Sequence, residues 1–156
     1  MRIVIAAVGR LRGGPEADMT IDYLKRATAA GKPAALGPCD LAEVEAATSG
    51  DAAREADLLL KAIPKGATVI ALDERGEAWS SRLFGQKLAR WRDQGAPALT
   101  FLIGGPNGLA PAIKDAAHGQ LAFGPQTWPH RLVRVMLAEQ IYRAISIETG
   151  SPYHRD

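Results

Sequence analysis

The side chains best suited to chemistry are concentrated in residues 126–156. A loop rich in proline is followed there by a long apolar segment and then by Tyr153, His154 and Arg155. Tyrosine can stack on a nucleobase, histidine can donate or accept a hydrogen bond, and arginine can bind a phosphate with two parallel hydrogen bonds. Chain ends are usually poorly ordered, and a disordered tail is the alternative here. We expect instead that these three residues belong to a functional site.

His130 begins the predicted helix that precedes this tail, and it directly follows the loop. A helix N-terminus favours anions and lowers the pKa of a nearby histidine. His130 is therefore a second candidate for the site, although it could equally cap the helix. His118, at the end of a short predicted helix, is expected only to interact with the helix dipole.

Three loops rich in glycine or proline follow predicted strands, at residues 72–76, 104–108 and 124–129. Ligands of open α/β sheets bind at the carboxyl ends of the strands, and glycine lets a ligand approach the backbone closely. Each loop alone could be an ordinary turn, but three at one predicted edge favour a ligand crevice. The loop at 104–108 matches neither a P-loop nor G-x-G-x-x-G, which favours a nucleotide-like ligand without bound phosphates. Asp73 and Glu74 are interpreted as surface-loop carboxylates.

Strand and helix patterns alternate along the chain, which predicts an α/β fold with a mostly parallel sheet flanked by helices. The helix at residues 130–149 is apolar on more than one face, which places it in the core or at a subunit interface. Neither an internal repeat nor a linker is visible, so residues 1–156 are expected to form a single domain. Strands are predicted at residues 3–8, 34–36, 68–72, 99–103 and 120–123, and helices at 15–31, after caps at Asp51 and Ser81, at 109–117 and at 130–149.

The composition of the chain argues against disulfides, metal sites and membrane segments. The chain has 156 residues, a net charge of +2 and one cysteine. A single cysteine excludes an internal disulfide and a thiolate metal cluster, and Cys39 is expected to be passive. We expect no metal, because no zinc-ligand spacing is present. The apolar runs are too short for a signal peptide or a membrane span, so we expect a cytoplasmic protein with no membrane partner.

Four motifs occur in order: Leu-Ile-Gly-Gly-Pro-Asn-Gly-Leu at 102–109, Thr-Trp-Pro-His-Arg-Leu-Val-Arg-Val at 127–135, Glu-Gln-Ile-Tyr-Arg-Ala at 139–144 and Pro-Tyr-His-Arg at 152–155. With these motifs the chain resembles, along its whole length, the ribosomal RNA large subunit methyltransferase H family, a minimal group of SPOUT methyltransferases. The resemblance implies a C-terminal trefoil knot, a rare topology, and a homodimer.

The resemblance also implies S-adenosyl-L-methionine as cofactor and methylation of N3 of a pseudouridine in helix 69 of 23S rRNA. The chain departs from the family at Asn107, where glutamate is common, and at 123–126, where the family loop is more Leu/Ser-like. Backbone contacts should tolerate both changes. By similarity, the residues that hold the cofactor are Leu72, Gly104, Phe123, Gly124, Pro125, Gln126, Thr127 and Trp128.

Catalysis requires in-line orientation of the methyl group and removal of the N3 proton. We expect Arg134 and Arg155 to contact phosphates or the developing uracil anion, His130 and His154 to position the base, and Tyr153 to stack on a base. A net charge of +2 is small for binding free RNA, so we expect the substrate to be 23S rRNA within the assembled ribosome. The alternatives are a ribosome-binding factor without catalysis and an unrelated Rossmann-like oxidoreductase.

Overall fold

The computed structural model describes residues 1–48 and 50–155. Within these residues, five strands form one sheet in the order β2-β1-β4-β3-β5, and every strand pair is parallel. The predicted parallel α/β architecture is therefore confirmed. The strands are β1 (Arg2–Val8), β2 (Cys39–Val44), β3 (Thr68–Ala78), β4 (Ala98–Ile103) and β5 (Gly119–Ala122), and the helices are α1 (Pro15–Gly31), α2 (Ala52–Ala62), α3 (Ser81–Asp93), α4 (Pro111–Ala116) and α5 (His130–Glu148).

Helices cover both faces of the sheet. Side chains of β1 alternate between two apolar clusters: Ile5 joins residues of α1, α3 and α5, whereas Ala6 joins residues of α2 and α4. A strand buried on both sides explains why β1 reads as a continuous apolar run and not as an alternating pattern. The carboxyl ends of all five described strands therefore meet at a single open edge.

The long helix α5 is the centre of the larger cluster. Its ridge of Leu137, Ile141 and Ile145 is fully buried between α1 and α3. The prediction of a helix apolar on more than one face is thus confirmed for the core. Gly150 follows the helix at φ +68°, a conformation that glycine adopts without steric cost.

The predicted strand at residues 34–36 is wrong. A 3₁₀ turn, Lys32–Ala34, occupies its start, and Leu36 is buried as part of a loop. The second strand is β2, which the sequence did not reveal because an edge strand with mixed polar and apolar residues lacks a clear pattern. The cap of α3 is Ser80, whose hydroxyl accepts the Leu83 N–H at 3.2 Å, and not Ser81. Asp51 caps α2 as predicted.

Cys39 is buried at the start of β2, and this burial raises the pKa of its thiol to about 12. The thiol is therefore protonated and unreactive at neutral pH. Among the described residues, no helix has the length and apolar character needed to cross a membrane. Within the described part of the chain, no group of three or more His, Cys, Asp or Glu side chains is placed so that it could hold a metal ion.

Candidate active site

The carboxyl ends of β3, β4 and β5 surround a cleft of about 430 Å³, which lies in the size range of small-molecule sites. All three loops predicted at this edge contribute to its walls, and His130 lies beside them on the first turn of α5. The structure thus brings together loops that are far apart in the sequence. Of the proposed cofactor residues, the cleft is lined by Leu72, Gly104, Phe123, Gly124, Gln126, Thr127 and Trp128; Pro125 is in the same loop but is not one of the lining residues.

A large bulge in β3 forms one wall. Leu72 and Glu77 both pair with Leu121 of β5, so residues 73–76 loop out of the ladder toward the cleft. The side chain of Asp73 is only 9% exposed and forms an ion pair with Lys114. The interpretation of Asp73 as a surface-loop carboxylate is therefore wrong. Burial raises its pKa, but hydrogen bonds from Lys114 and the backbone of Arg75 outweigh burial and hold the pKa below its ordinary value.

The glycine loop after β4 forms the second wall. Gly105 and Gly108 pair across the loop, with the Gly108 N–H donating to the Gly105 carbonyl at 2.9 Å. A Cβ at Gly104 would lie 2.5 Å from the backbone carbon of Gly108, which leaves no space for a side chain. Gly108 has φ +74°, and a Cβ there would meet nothing within 4 Å. The backbone of this loop is thus tightly folded and also open to a ligand.

Residues 123–128 form the third wall. The Trp128 indole N–H donates to the Phe123 carbonyl at 3.2 Å and closes the loop on itself. The Thr127 hydroxyl donates to Glu74 at 3.4 Å, which ties this loop to the β3 bulge. Gly124 has φ +97°, where a residue with a side chain would be strained. The loop therefore has a defined shape before any ligand binds.

His130 is the one proposed catalytic residue that lines the described cleft. Partial burial lowers the pKa of its imidazole, and the positive charges of Arg134 and Arg131 lower it further. A lowered pKa was expected from the position of His130 at a helix N-terminus. The causes found in the structure are burial and the two arginines. His130 is therefore neutral at pH 7 and able to accept a proton.

Arg134 does not reach the cleft surface. Its side chain is 1% exposed; Nη1 donates to Glu43 at 2.9 Å and Nη2 donates to the Val8 carbonyl. The structure thus places this guanidinium inside the protein, between α5 and the carboxyl ends of β1 and β2. Its position between Val133 and Val135 in an apolar helix is the one sequence signal of such burial.

Replacing Arg134 with alanine should reduce the free energy of unfolding by about 3–5 kcal/mol, because Glu43 would lose its buried partner. Chemical denaturation measures this change, with Arg90→Ala on the exposed side of α3 as the control. A loss below about 1 kcal/mol, which is typical of surface pairs, would show that the pair contributes little to folding.

Two of the three tail candidates, Tyr153 and His154, pack against a later part of α5. The Tyr153 hydroxyl donates to Glu139 at 3.0 Å, and its ring lies 4.5 Å from that of Tyr142. Arg143 approaches the same ring and also lies 3.4 Å from His154 Nδ1. At about 1.5 Å per residue, these contacts are well over two turns of helix from His130. The structure therefore does not bring the tail to the cleft of its own chain, and Arg155 is exposed.

A family model described as "Predicted SPOUT methyltransferase" matches residues 1–154. The chain belongs to this methyltransferase family. Relatives named Ribosomal RNA large subunit methyltransferase H place it more narrowly in that group: the protein from Phenylobacterium zucineum is 56% identical over 156 residues and that from Caulobacter vibrioides is 55% identical, each alignment covering at least 99% of both chains.

The fold agrees with this membership. The structure of a probable methyltransferase from Bordetella pertussis matches with a TM-score of 0.53 at 18% identity, covering 92% of this chain and 96% of that one. A probable methylase family protein from Haemophilus influenzae matches with a TM-score of 0.55 at 14% identity, covering 99% of this chain and 70% of the other. Membership of the family, together with the relatives above, confirms the expected enzyme class and disfavours both a factor without catalysis and an oxidoreductase.

Proposed function

We propose that this methyltransferase transfers a methyl group from S-adenosyl-L-methionine to N3 of a pseudouridine in helix 69 of 23S rRNA, within the assembled ribosome. The observation that supports this most is the preformed glycine-lined cleft. It occurs in a chain that matches, over its full length, relatives whose name specifies ribosomal RNA of the large subunit. A ribosomal substrate also implies a cytoplasmic enzyme.

The cleft offers open backbone, apolar surface and polar groups that suit the cofactor. Open space beside Gly108 leaves its backbone accessible to hydrogen bonds. Leu72, Ile103 and Leu121 offer apolar surface suitable for an adenine ring. Glu74 and the Asp73–Lys114 ion pair add polar groups to the same lining. When bound, S-adenosyl-L-methionine supplies a methyl group on a positively charged sulfur, which is already a strong electrophile.

The work left to the protein is to orient the base and remove its proton. The three walls fix the cofactor side of the reaction, and a fixed geometry can supply several kcal/mol of the barrier. His130 is neutral and is the first residue of α5, where it lines the cleft. It can accept the N3 proton directly or through water. Arg155 and His154 would hold the flanking phosphate or the developing anion once they reach the cleft.

If His130 accepts the proton, the rate should fall with decreasing pH only below the ordinary histidine pKa of 6.5, because burial and Arg134 and Arg131 lower the pKa of this imidazole. Replacing Arg131 with alanine removes one of these charges and should move the acid limb of the kcat profile to higher pH. Single-turnover rates at saturating ribosome measure this, with Arg90→Ala as control. An acid limb that stays in place in Arg131→Ala would contradict proton transfer to His130.

We further propose a homodimer. An apolar groove of about 510 Å³ lies between α1, α3 and α5, and Phe123 and Gly124 line both this groove and the cleft. Met19, which lines the groove, is 47% exposed, and Leu132 in the first turn of α5 is 41% exposed. Such exposed apolar surface is typical of an interface. A second copy seated there would lie next to the cofactor loop, so that its tail could complete the neighbouring cleft.

The proposed topology is a single domain over residues 1–156 with a C-terminal trefoil knot that shapes the cofactor loops. Titration calorimetry with S-adenosyl-L-methionine tests the cofactor part of the proposal. We expect binding with a negative enthalpy and a stoichiometry no greater than one per chain. An absence of heat at high micromolar cofactor would contradict the methyltransferase mechanism.

A further inference from the structure

An ion pair between the buried Arg134 and the partly buried Glu43 joins three elements that do not follow one another in the chain. One oxygen of Glu43, in β2, accepts from Arg134 Nη1 at 2.9 Å and from the backbone N–H of Leu11 at 2.7 Å. Arg134 also donates to the Val8 carbonyl at the end of β1. The loop after β1 is therefore fixed to α5 through a single carboxylate.

The pair is poorly suited to a role in stability alone. Desolvating a charged pair costs free energy that an apolar pair of similar size would not. Arg134 Nε is also buried without a hydrogen-bond partner among the described residues, so the guanidinium is incompletely satisfied. A geometric role, in which the ion pair sets the position of the loop after β1, accounts for this arrangement better.

The anchored loop presents two guanidinium groups. Arg10 and Arg12 have side chains that are 64% and 79% exposed, and both form loose ion pairs with Glu45, at 3.7 and 3.4 Å. A single carboxylate neutralises one of the two charges. Gly13 and Gly14 follow with positive φ and add no side chains. The loop leaves the carboxyl end of β1, which is the edge of the sheet that carries the cleft.

We propose that the Glu43–Arg134 pair fixes the loop at residues 10–14 beside α5, so that Arg10 and Arg12 contact phosphate groups of the RNA substrate next to the cleft. This inference rests on the proposed function. Arginine binds phosphate with parallel, charge-assisted hydrogen bonds. Two such contacts at one edge supply local affinity in a chain whose net charge is only +2.

The main test replaces Arg10 and Arg12 with alanine together. The matched control is Arg2→Ala with Arg90→Ala, which removes the same charge from exposed sites away from the cleft edge. Arg2 lies at the start of β1 and Arg90 in the last turn of α3, which leads into the amino end of β4. Initial rates are measured against ribosome concentration at several salt concentrations, and S-adenosyl-L-methionine affinity is measured separately.

For the loop variant we expect the KM for ribosomes to rise by about tenfold. The slope of the logarithm of the binding constant against the logarithm of salt concentration should become shallower by about one for each arginine removed. The kcat and the cofactor affinity should match the wild type, as should every parameter of the control. An unchanged KM and salt slope would overturn the inference. If the wild type transfers no methyl group, the proposed function fails separately, and co-sedimentation with ribosomes then decides the inference with the same variants.

The anchoring part is tested with Glu43→Gln and limited trypsin digestion. Trypsin cleaves after arginine, and the loop contains two such bonds, after Arg10 and after Arg12. We expect Glu43→Gln to be cut faster at both bonds, while cleavage after Arg90 keeps its wild-type rate. Equal rates in both proteins, or equal acceleration at all three bonds, would overturn local anchoring by this pair.

Discussion

Deleting residues 151–156 should reduce methyl transfer to ribosomes by at least about a hundredfold while leaving S-adenosyl-L-methionine binding intact. The cofactor cleft is built from β3, β4, β5 and the start of α5, and the tail of the same chain lies further along α5. The deletion therefore removes groups that can contact the target nucleotide without altering the cofactor walls. Calorimetry and a ribosome methylation assay measure the two effects.

Two controls make this deletion interpretable. Removing residue 156 alone keeps Tyr153, His154 and Arg155 and should retain activity. A thermal melt reports how much stability is lost with the Tyr153 contacts to Glu139 and Tyr142. Unchanged methylation by the longer deletion would refute a role for the tail. Loss of cofactor binding would instead show that the tail supports the cleft itself.

Replacing Gly104 with alanine should reduce kcat/KM by about a hundredfold, because the loop backbone must move by about 1 Å. Its Cβ would stand 2.5 Å from the backbone of Gly108 and 2.8 Å from that of Leu109, and neither can rotate away. Cofactor affinity should fall in parallel, since the same loop lines the cleft. Calorimetry and steady-state kinetics measure both losses.

Gly119→Ala is the matched control for this substitution. Gly119 lies in β5, and a Cβ there would meet only the flexible end of Ile70 at 3.4 Å. The control should bind the cofactor as the wild type does. Full cofactor affinity in Gly104→Ala would show that the glycine loop does not hold the ligand.

The two variants together also test the proposed dimer. A mixed dimer of the tail deletion and Gly104→Ala contains one intact cleft and one intact tail, on different subunits. If the tail acts across the dimer, mixing should restore methylation at one site per dimer. If the tail acts within its own chain, the mixture should remain inactive.

The parallel sheet and the three loops of the cleft could be predicted from the sequence, because buried parallel strands and glycine-rich turns have recognisable local patterns. β1 is apolar from Ile3 onward, β4 is apolar except for Thr100, and each cleft loop is marked by glycine or proline. β2 was missed since its side chains are mostly only partly buried at the sheet edge. The bulge at residues 73–76 was also invisible, because it depends on pairing with β5.

The site was less predictable than the fold. Arginine is usually exposed, so Arg134 was interpreted as a phosphate contact, whereas the structure buries it against Glu43. That pairing joins residues 43 and 134, and no local pattern reveals a contact over such a distance. The tail was identified by its residue types, but the structure places its contacts away from the cleft of its own chain. The roles of Tyr153, His154 and Arg155 therefore remain predictions.

Transfer of an isotope-labelled methyl group from S-adenosyl-L-methionine to purified ribosomes that lack this methyl group tests the central claim most directly. After the reaction, the large-subunit rRNA is digested and the labelled nucleoside is located by mass spectrometry. We predict one labelled group per ribosome, on N3 of a pseudouridine in helix 69, and labelling about a hundredfold slower with Gly104→Ala. Label on protein, on another nucleotide or on no component of the ribosome would contradict the proposed function.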